Sequence, residues 1–104
     1  MEDIVKMLEP RFKLGKDNYG HGVRVYDNYN WKTMALEEIL DAIVYVTADY
    51  VKSVTPQHMT EDNDNIINVL KNVKSVHLPE VRERIMTLVN IARELSIESN
   101  SVPC

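Results

Sequence analysis

The sequence predicts an all-α fold, a bundle of about four helices with one long irregular loop between the first and second helices. Apolar residues recur at helical spacing in four segments, and the longest of these, residues 31–53, contains neither Gly nor Pro. Residues 16–30, by contrast, hold Gly20, Gly22 and several Asn and Asp residues, a composition that prevents a stable helix. At 104 residues the chain is expected to form one domain, residues 1–104.

The first helix is expected over residues 3–14. Its apolar residues are Ile4, Val5, Met7, Leu8, Phe12 and Leu14. Pro10 lies among them and predicts a kink or a later start, because proline removes a helical hydrogen bond. Gly15 is expected to end the helix as a left-handed cap.

The second helix, over residues 31–53, is the strongest prediction in the chain. Asn30 is a favourable N-cap, and Pro56 is expected to close the helix. Several β-branched residues lie within it, which leaves a strand through residues 42–51 as the alternative.

Two further helices are expected in the second half of the chain. The third covers residues 61–73 with Thr60 as its cap, and the fourth starts at Pro79, a residue suited to a first helical turn. The fourth carries an apolar stripe formed by Val81, Ile85, Leu88, Val89, Ala92 and Leu95. Residues 97–104 are expected to be a frayed tail. The apolar faces of these helices predict a homo-oligomer, a dimer or larger.

Composition narrows the class of protein. Twelve Lys and Arg residues against 16 Asp and Glu give a net charge of −4, which disfavours nucleic acid as a partner. No apolar run approaches the roughly 18 residues of a membrane span, and the first residues do not read as a secretory signal. The single cysteine, Cys104, excludes a disulfide framework. We therefore expect a cytoplasmic protein without a membrane partner.

Acidic residues in the second helix predict a metal site. Glu38 and Asp41 are three residues apart and Glu37 and Asp41 four, so they share one side of a largely apolar helix. Carboxylates buried together repel one another unless a cation joins them. We expect Mg²⁺ or Mn²⁺ at Glu38 and Asp41, with Glu37 as a third ligand. In the alternative interpretation the glutamates face solvent and Asp41 pairs with an arginine.

A second acidic cluster lies at residues 61–64. Glu61 and Asp64 would supply the opposite wall of the metal site if the third helix packs antiparallel to the second. The alternative is that these acids only complement the positive end of the third helix.

The two acidic segments resemble those of the MazG-like all-α nucleoside triphosphate pyrophosphohydrolases, in which EExxE is followed after a gap by ExxD. The segment EEILD at residues 37–41 is similar to the first element, with Asp replacing the last Glu, and EDND at residues 61–64 to the second. In another alignment, EILD at residues 38–41 corresponds to ExxD. Residues 8–53 also look like short phage and large-virus proteins described as MazG-like.

The resemblance implies Mg²⁺-dependent cleavage of a nucleoside triphosphate to a monophosphate and pyrophosphate. Glu37, Glu38 and Asp41 would be the catalytic residues, and the sites would lie between subunits of an oligomer. The long loop would then cover the nucleotide. Its predicted binding residues, together with one tyrosine of the second helix, are Lys16, Tyr19, His21, Arg24, Trp31 and Tyr45. The tyrosines Tyr26 and Tyr29 are further stacking candidates.

Two other functions fit the same residues. A protein that binds a nucleotide or a nucleotide second messenger without hydrolysing it would keep the loop and need only part of the acidic motif. A helical adaptor without a ligand would use the apolar stripes alone. Release of pyrophosphate separates the enzyme from the binding protein, and affinity for a divalent cation separates both from the adaptor.

Overall fold

The computed structural model describes residues 1–55 and 61–101, and within these ranges the chain is helical and contains no strand. Four α-helices follow one another as α1 (Glu2–Tyr19), α2 (Trp31–Val54), α3 (Asn63–Lys71) and α4 (Pro79–Ser101), with a short 3-10 turn at Val73–Ser75. The all-α prediction is confirmed, and the strand alternative for residues 42–51 is excluded. None of the described helices has the length and apolar character needed to cross a bilayer.

The helix α2 is the centre of the packed part of the molecule, because both α3 and α4 lie against it. The buried apolar residues of the described chain come from α2, from α4 and from the segment before α4. They are Ile43, Tyr50, Val51, Val76, Ile85 and Ala92. The hydroxyl of Tyr50 also forms a hydrogen bond of 3.1 Å with Nδ1 of His77. This core therefore joins α2, α4 and the segment before α4, and it includes no residue of α1 or α3.

The start of α2 follows the sequence prediction. The side chain of Asn30 accepts a hydrogen bond of 3.1 Å from the backbone N–H of Thr33, as an N-cap does. The helix continues to Val54, one residue beyond the predicted end, and Thr55 caps it in an extended conformation. Pro56, expected to close the helix, lies outside the described residues.

The helix α1 is longer than predicted. It passes through both Pro10 and Gly15 and ends at Tyr19, so the predicted cap at Gly15 is wrong. The left-handed cap is Gly20 instead, with φ of 80°, and its N–H donates to the carbonyl oxygen of Lys16 over 2.8 Å. A glycine inside a helix costs only about 1 kcal/mol relative to alanine, so Gly15 weakens the helix without ending it.

The same helix stands apart from the packed core. None of its residues is buried, and within the described chain it contacts no other helix. The Cα radius of gyration is 17.1 Å, whereas a compact domain of this length has about 13 Å. The expected bundle therefore consists of α2, α3 and α4, and residues 20–30 connect α1 to it without helix or strand.

The ends of α3 and α4 differ from the predictions in opposite directions. The helix α3 is shorter, because the side chain and backbone N–H of Asn72 both bond to the carbonyl oxygen of Asn68 and end it. Its predicted cap Thr60 lies outside the described residues. The helix α4 begins at Pro79 as predicted but continues to Ser101, so residues 97–101 are helical rather than frayed. Residues 102–104 are outside the described part.

One buried polar group has no partner. The side chain of Thr47 is fully buried, and its hydroxyl oxygen makes no hydrogen bond. Desolvating a hydroxyl without pairing it destabilises the folded state. We predict that Thr47→Val raises the free energy of unfolding by roughly 1–3 kcal/mol, measured by denaturant unfolding. Thr87→Val, at an exposed position of α4, is the control and should change it by less than about 0.5 kcal/mol. A lower stability for the Thr47 variant would show that its hydroxyl is paired.

Candidate functional site

A cleft of about 380 Å³ lies where the second half of α1, the connecting loop and the start of α2 meet. Five of the six residues predicted to bind a nucleotide line it: Lys16, Tyr19, His21, Arg24 and Trp31. The sixth, Tyr45, is 69% exposed on α2 and does not line the cleft. The loop prediction therefore corresponds to one concave site, although α1 supplies more of it than expected.

The wall contributed by α1 is one helical face. Phe12, Lys16 and Tyr19 are spaced four and three residues apart and so stand above one another, with Arg11 and Gly15 beside them. Gly15 leaves this wall open, because a Cβ built there would meet no atom within 4 Å. The face presents a cation and two aromatic rings to the cleft.

Short-range hydrogen bonds hold the loop in its path. The backbone N–H of Asp27 donates to the carbonyl oxygen of Arg24 over 3.1 Å, and that of Tyr29 donates to the carbonyl oxygen of Asp27 over 2.7 Å. Nδ1 of His21 lies 2.7 Å from the carbonyl oxygen of Gly22, a hydrogen bond that requires the proton on Nδ1.

Trp31 anchors the loop to the start of α2. Its indole N–H donates to the carbonyl oxygen of Val25 over 3.0 Å, and its ring lies 5.4 Å from that of Tyr29, tilted by 50°. The side chain is nevertheless 40% exposed. An aromatic surface is thus held in a fixed orientation and remains accessible to a ligand.

The cleft concentrates positive charge on an acidic chain. Arg11, Lys16 and Arg24 line it, against one carboxylate, Asp27. Among the described residues, none of these three cations has a carboxylate within ion-pair distance. Cations that are not neutralised, next to aromatic rings, are the combination that binds an anion carrying a planar ring.

The acids of α2 lie next to this cleft but outside it. Met34 lines the cleft, and Glu38 and Asp41 follow it on the same side of α2, about 6 and 10 Å further along the axis. Both acids and Glu37 are exposed, so the expectation of buried carboxylates is wrong for the single chain. The side of α2 that carries these three acids was predicted to be buried, but it points away from α4. Within the described chain, Asp41 forms no ion pair with an arginine.

The second acidic cluster is at the other end of α2. Asn65 and Val69 of α3 border one depression with Val51 and Val54 of α2, which lie about 15 and 20 Å along the axis from Asp41. Glu61 and Asp64 therefore do not face Glu38. Across residues 1–55 and 61–101, no three Asp, Glu, His or Cys side chains converge to hold a metal ion. The pair Glu38 and Asp41 still fits the type of Mg²⁺ site that uses one or two carboxylates, waters and phosphate oxygens.

Several residues of the cleft were not expected from the sequence. They are Arg11, Phe12, Gly15, Gly22, Val23, Asp27 and Met34. A signal for the first three was present, because each lies on the same helical face as Lys16 or Tyr19. With the helix predicted to end at Gly15, Lys16 and Tyr19 were not placed on that face, and its other residues were therefore not recognised.

Comparison with known proteins gives no relative for this chain. No family model matches it, and neither a curated protein nor a solved structure is similar to it.

The open position at Gly15 yields a test of the site geometry. We predict that Gly15→Ala slows amide hydrogen exchange in α1, because alanine stabilises a helix interior by about 1 kcal/mol and its Cβ meets no clash. Exchange is the appropriate measurement, since α1 contacts no other helix in the described chain and global unfolding would not report it. Gly22→Ala is the control, because it lines the same cleft outside a helix and should leave α1 unchanged. Faster exchange in Gly15→Ala would contradict the geometry.

Proposed function

We propose that this protein binds a nucleotide in the cleft between α1, the loop and α2, and hydrolyses it with Mg²⁺ to a monophosphate and pyrophosphate. The observation that carries the proposal is the grouping of Arg11, Lys16 and Arg24 with exposed aromatic rings in one cleft. Met34, which also lines this cleft, precedes Glu38 and Asp41 by about one and two helical turns. The similarity of the acidic segments to those of MazG-like pyrophosphohydrolases supports the same reaction.

Binding would use both halves of the ligand. The base stacks on Trp31 or Tyr19, whose rings are accessible at 40% and 79% exposure. Lys16 and Arg24 donate charge-assisted hydrogen bonds to the phosphates, and Arg11 adds a third positive charge. The phosphates then extend along α2 past Met34, toward the carboxylates.

Hydrolysis would take place at that end of the ligand. Glu38 and Asp41 would hold Mg²⁺, which would offset phosphate charge and lower the pKa of a bound water. Attack of a water oxygen on the α-phosphorus would break the bond from that phosphorus to the oxygen that bridges to the β-phosphate, and pyrophosphate would leave. The carboxylate of Glu37, four residues before Asp41, is the proposed acceptor of the proton from the water.

A second candidate function is binding of the nucleotide without hydrolysis. It is favoured by the absence, within the described part of one chain, of a third side chain converging on Glu38 and Asp41. The ligand, the cleft and the cations are the same in both functions. Only the fate of the phosphates differs, so product formation over time distinguishes them.

The cleft can be tested with the protein's own fluorophore. Trp31 is the only tryptophan, so nucleotide stacking there should change the fluorescence in a saturable way. We predict that Lys16→Ala and Arg24→Ala each weaken binding roughly 10- to 100-fold, the loss expected for a charge-assisted hydrogen bond. Lys13→Ala is the matched control, because it removes a cation of α1 that does not line the cleft. Equal losses in all three variants would indicate only a general charge effect.

The role of Asp41 can be separated from a structural one. We predict that Asp41→Asn abolishes Mg²⁺-dependent release of pyrophosphate and leaves nucleotide affinity without Mg²⁺ unchanged. Its melting temperature without metal should stay the same or rise, because a charge next to Glu37 and Glu38 is removed. Asp49→Asn, an exposed acid two turns further along α2, is the control and should retain activity. A lower melting temperature with unchanged metal response would overturn the assignment of Asp41.

A further inference from the structure

The first half of α1 carries an apolar face with no partner. Ile4, Val5 and Leu8 share this face and are 44%, 43% and 39% exposed. Phe12, one turn further, continues the face into the cleft. No other described helix covers these side chains. An amphipathic helix gains most of its stability from burying such a face. The helix α1 therefore needs a surface to pack against in order to be stable in water.

The chain also contains an apolar groove. It has a volume of about 660 Å³ and lies between α2, α3 and α4. Ile43, Ile85 and Ala92 are buried along it, whereas Leu40 at its edge is 48% exposed. A groove of this kind binds an amphipathic helix through residues three and four positions apart, the spacing of Val5 and Ile4 from Leu8.

The α1 of the same chain lies elsewhere. Its second half lies across the cleft from Trp31 and Met34 of α2, and all of them line that cleft. Leu40 follows Trp31 by nine residues and so lies about 180° around the helix. The groove is therefore on the opposite side of α2 from the chain's own α1, and a helix that fills it must come from another molecule.

The apolar face of α1 and the groove carry opposite charges. Glu2 and Glu9, seven residues apart, lie along one edge of the apolar face of α1. Lys71 and Arg93 are exposed and line the groove. Opposite charges at the margin of an apolar contact favour one orientation and disfavour others.

The exposed area of the chain is large enough for a stable dimer. One copy exposes 8896 Å², whereas a folded monomer of 12.0 kDa exposes about 6,000 Å², so the excess is roughly 2,900 Å². Obligate dimer interfaces bury about 2,000–5,000 Å² over both partners, or roughly 1,000–2,500 Å² on each copy, and the excess exposed by one copy is larger than this. A reciprocal exchange of two helices would bury an area of this order.

We propose that a second copy of this chain covers both surfaces: α1 of each copy lies in the groove between α2 and α4 of the other. The exchange is reciprocal, so it closes into a symmetric dimer with no unfilled groove. Each cleft keeps its own α1 as one wall, while the first half of that helix is fixed by the partner. The proposal does not depend on a nucleotide, and its tests below contain none.

Crosslinking tests which surfaces meet. In a Cys104→Ser background, a Leu8→Cys chain and a Leu40→Cys chain are mixed, exchanged and treated with a short bismaleimide. The mixture should give a product of twice 12.0 kDa on a denaturing gel, and each chain alone should not. Lys6→Cys mixed with Leu40→Cys is the matched control, because Lys6 lies on the other side of α1 and should not crosslink. No product from the Leu8 mixture, or the same product from Leu8→Cys alone, would overturn the proposal.

The mass in solution tests whether the contact holds the dimer together. Sedimentation of the wild-type chain should give twice 12.0 kDa, and Leu8→Glu should shift it to the mass of one chain with its helical circular dichroism retained. Lys6→Glu should remain a dimer. A wild-type chain that sediments at 12.0 kDa at high concentration overturns the proposal, as does a dimeric Leu8→Glu. If Leu8→Glu loses its helical signal, the crosslinking pattern decides.

Discussion

The contact between α2 and α4 holds Ile43, Thr47 and Ile85 away from water, and the rest of the molecule is arranged around it. Because α2 is one continuous helix of 24 residues, burying one side of it determines which residues lie on the opposite side. Met34, Glu38 and Asp41 lie on that opposite side. The position of the acids is thus a consequence of which residues form the core, and the same constraint aligns them with the cleft at the start of α2.

The cleft depends on local structure more than on burial. Gly20 ends α1 with a positive φ, Asn30 starts α2, and Trp31 ties the loop back through its bond to Val25. None of these contacts needs the hydrophobic core. They set the distance between two helices that otherwise do not touch, and they gather three cations on a chain whose net charge is −4. The local concentration of charge, rather than the net charge, determines whether a surface of an acidic protein attracts an anion.

The proposed dimer and the proposed nucleotide site place different demands on α1. The second half of the helix forms a wall of the cleft, and the first half would pack in the partner's groove. Fixing the first half would restrict the motion of the second, since both belong to one continuous helix through Pro10 and Gly15. Association would then order the wall that carries Arg11, Lys16 and Tyr19 before a ligand arrives, and this lowers the entropy cost of binding.

The amino-acid sequence by itself determined the helical class, the start of α2 at Asn30 and the start of α4 at Pro79. These features depend on spacing, capping and proline geometry, which act within a few residues. It also identified six of the 13 residues that line the cleft, because aromatic and basic side chains can be recognised without knowing the fold. The end of α1 was missed, since a glycine can either end a helix or lie inside one, and the choice between Gly15 and Gly20 depends on which carbonyl the cap can reach.

Only the tertiary structure decided that the acids of α2 are exposed and that α1 leaves the bundle. A helix that is apolar on most of its circumference does not specify which side meets α4, because that choice depends on the shapes of the partners.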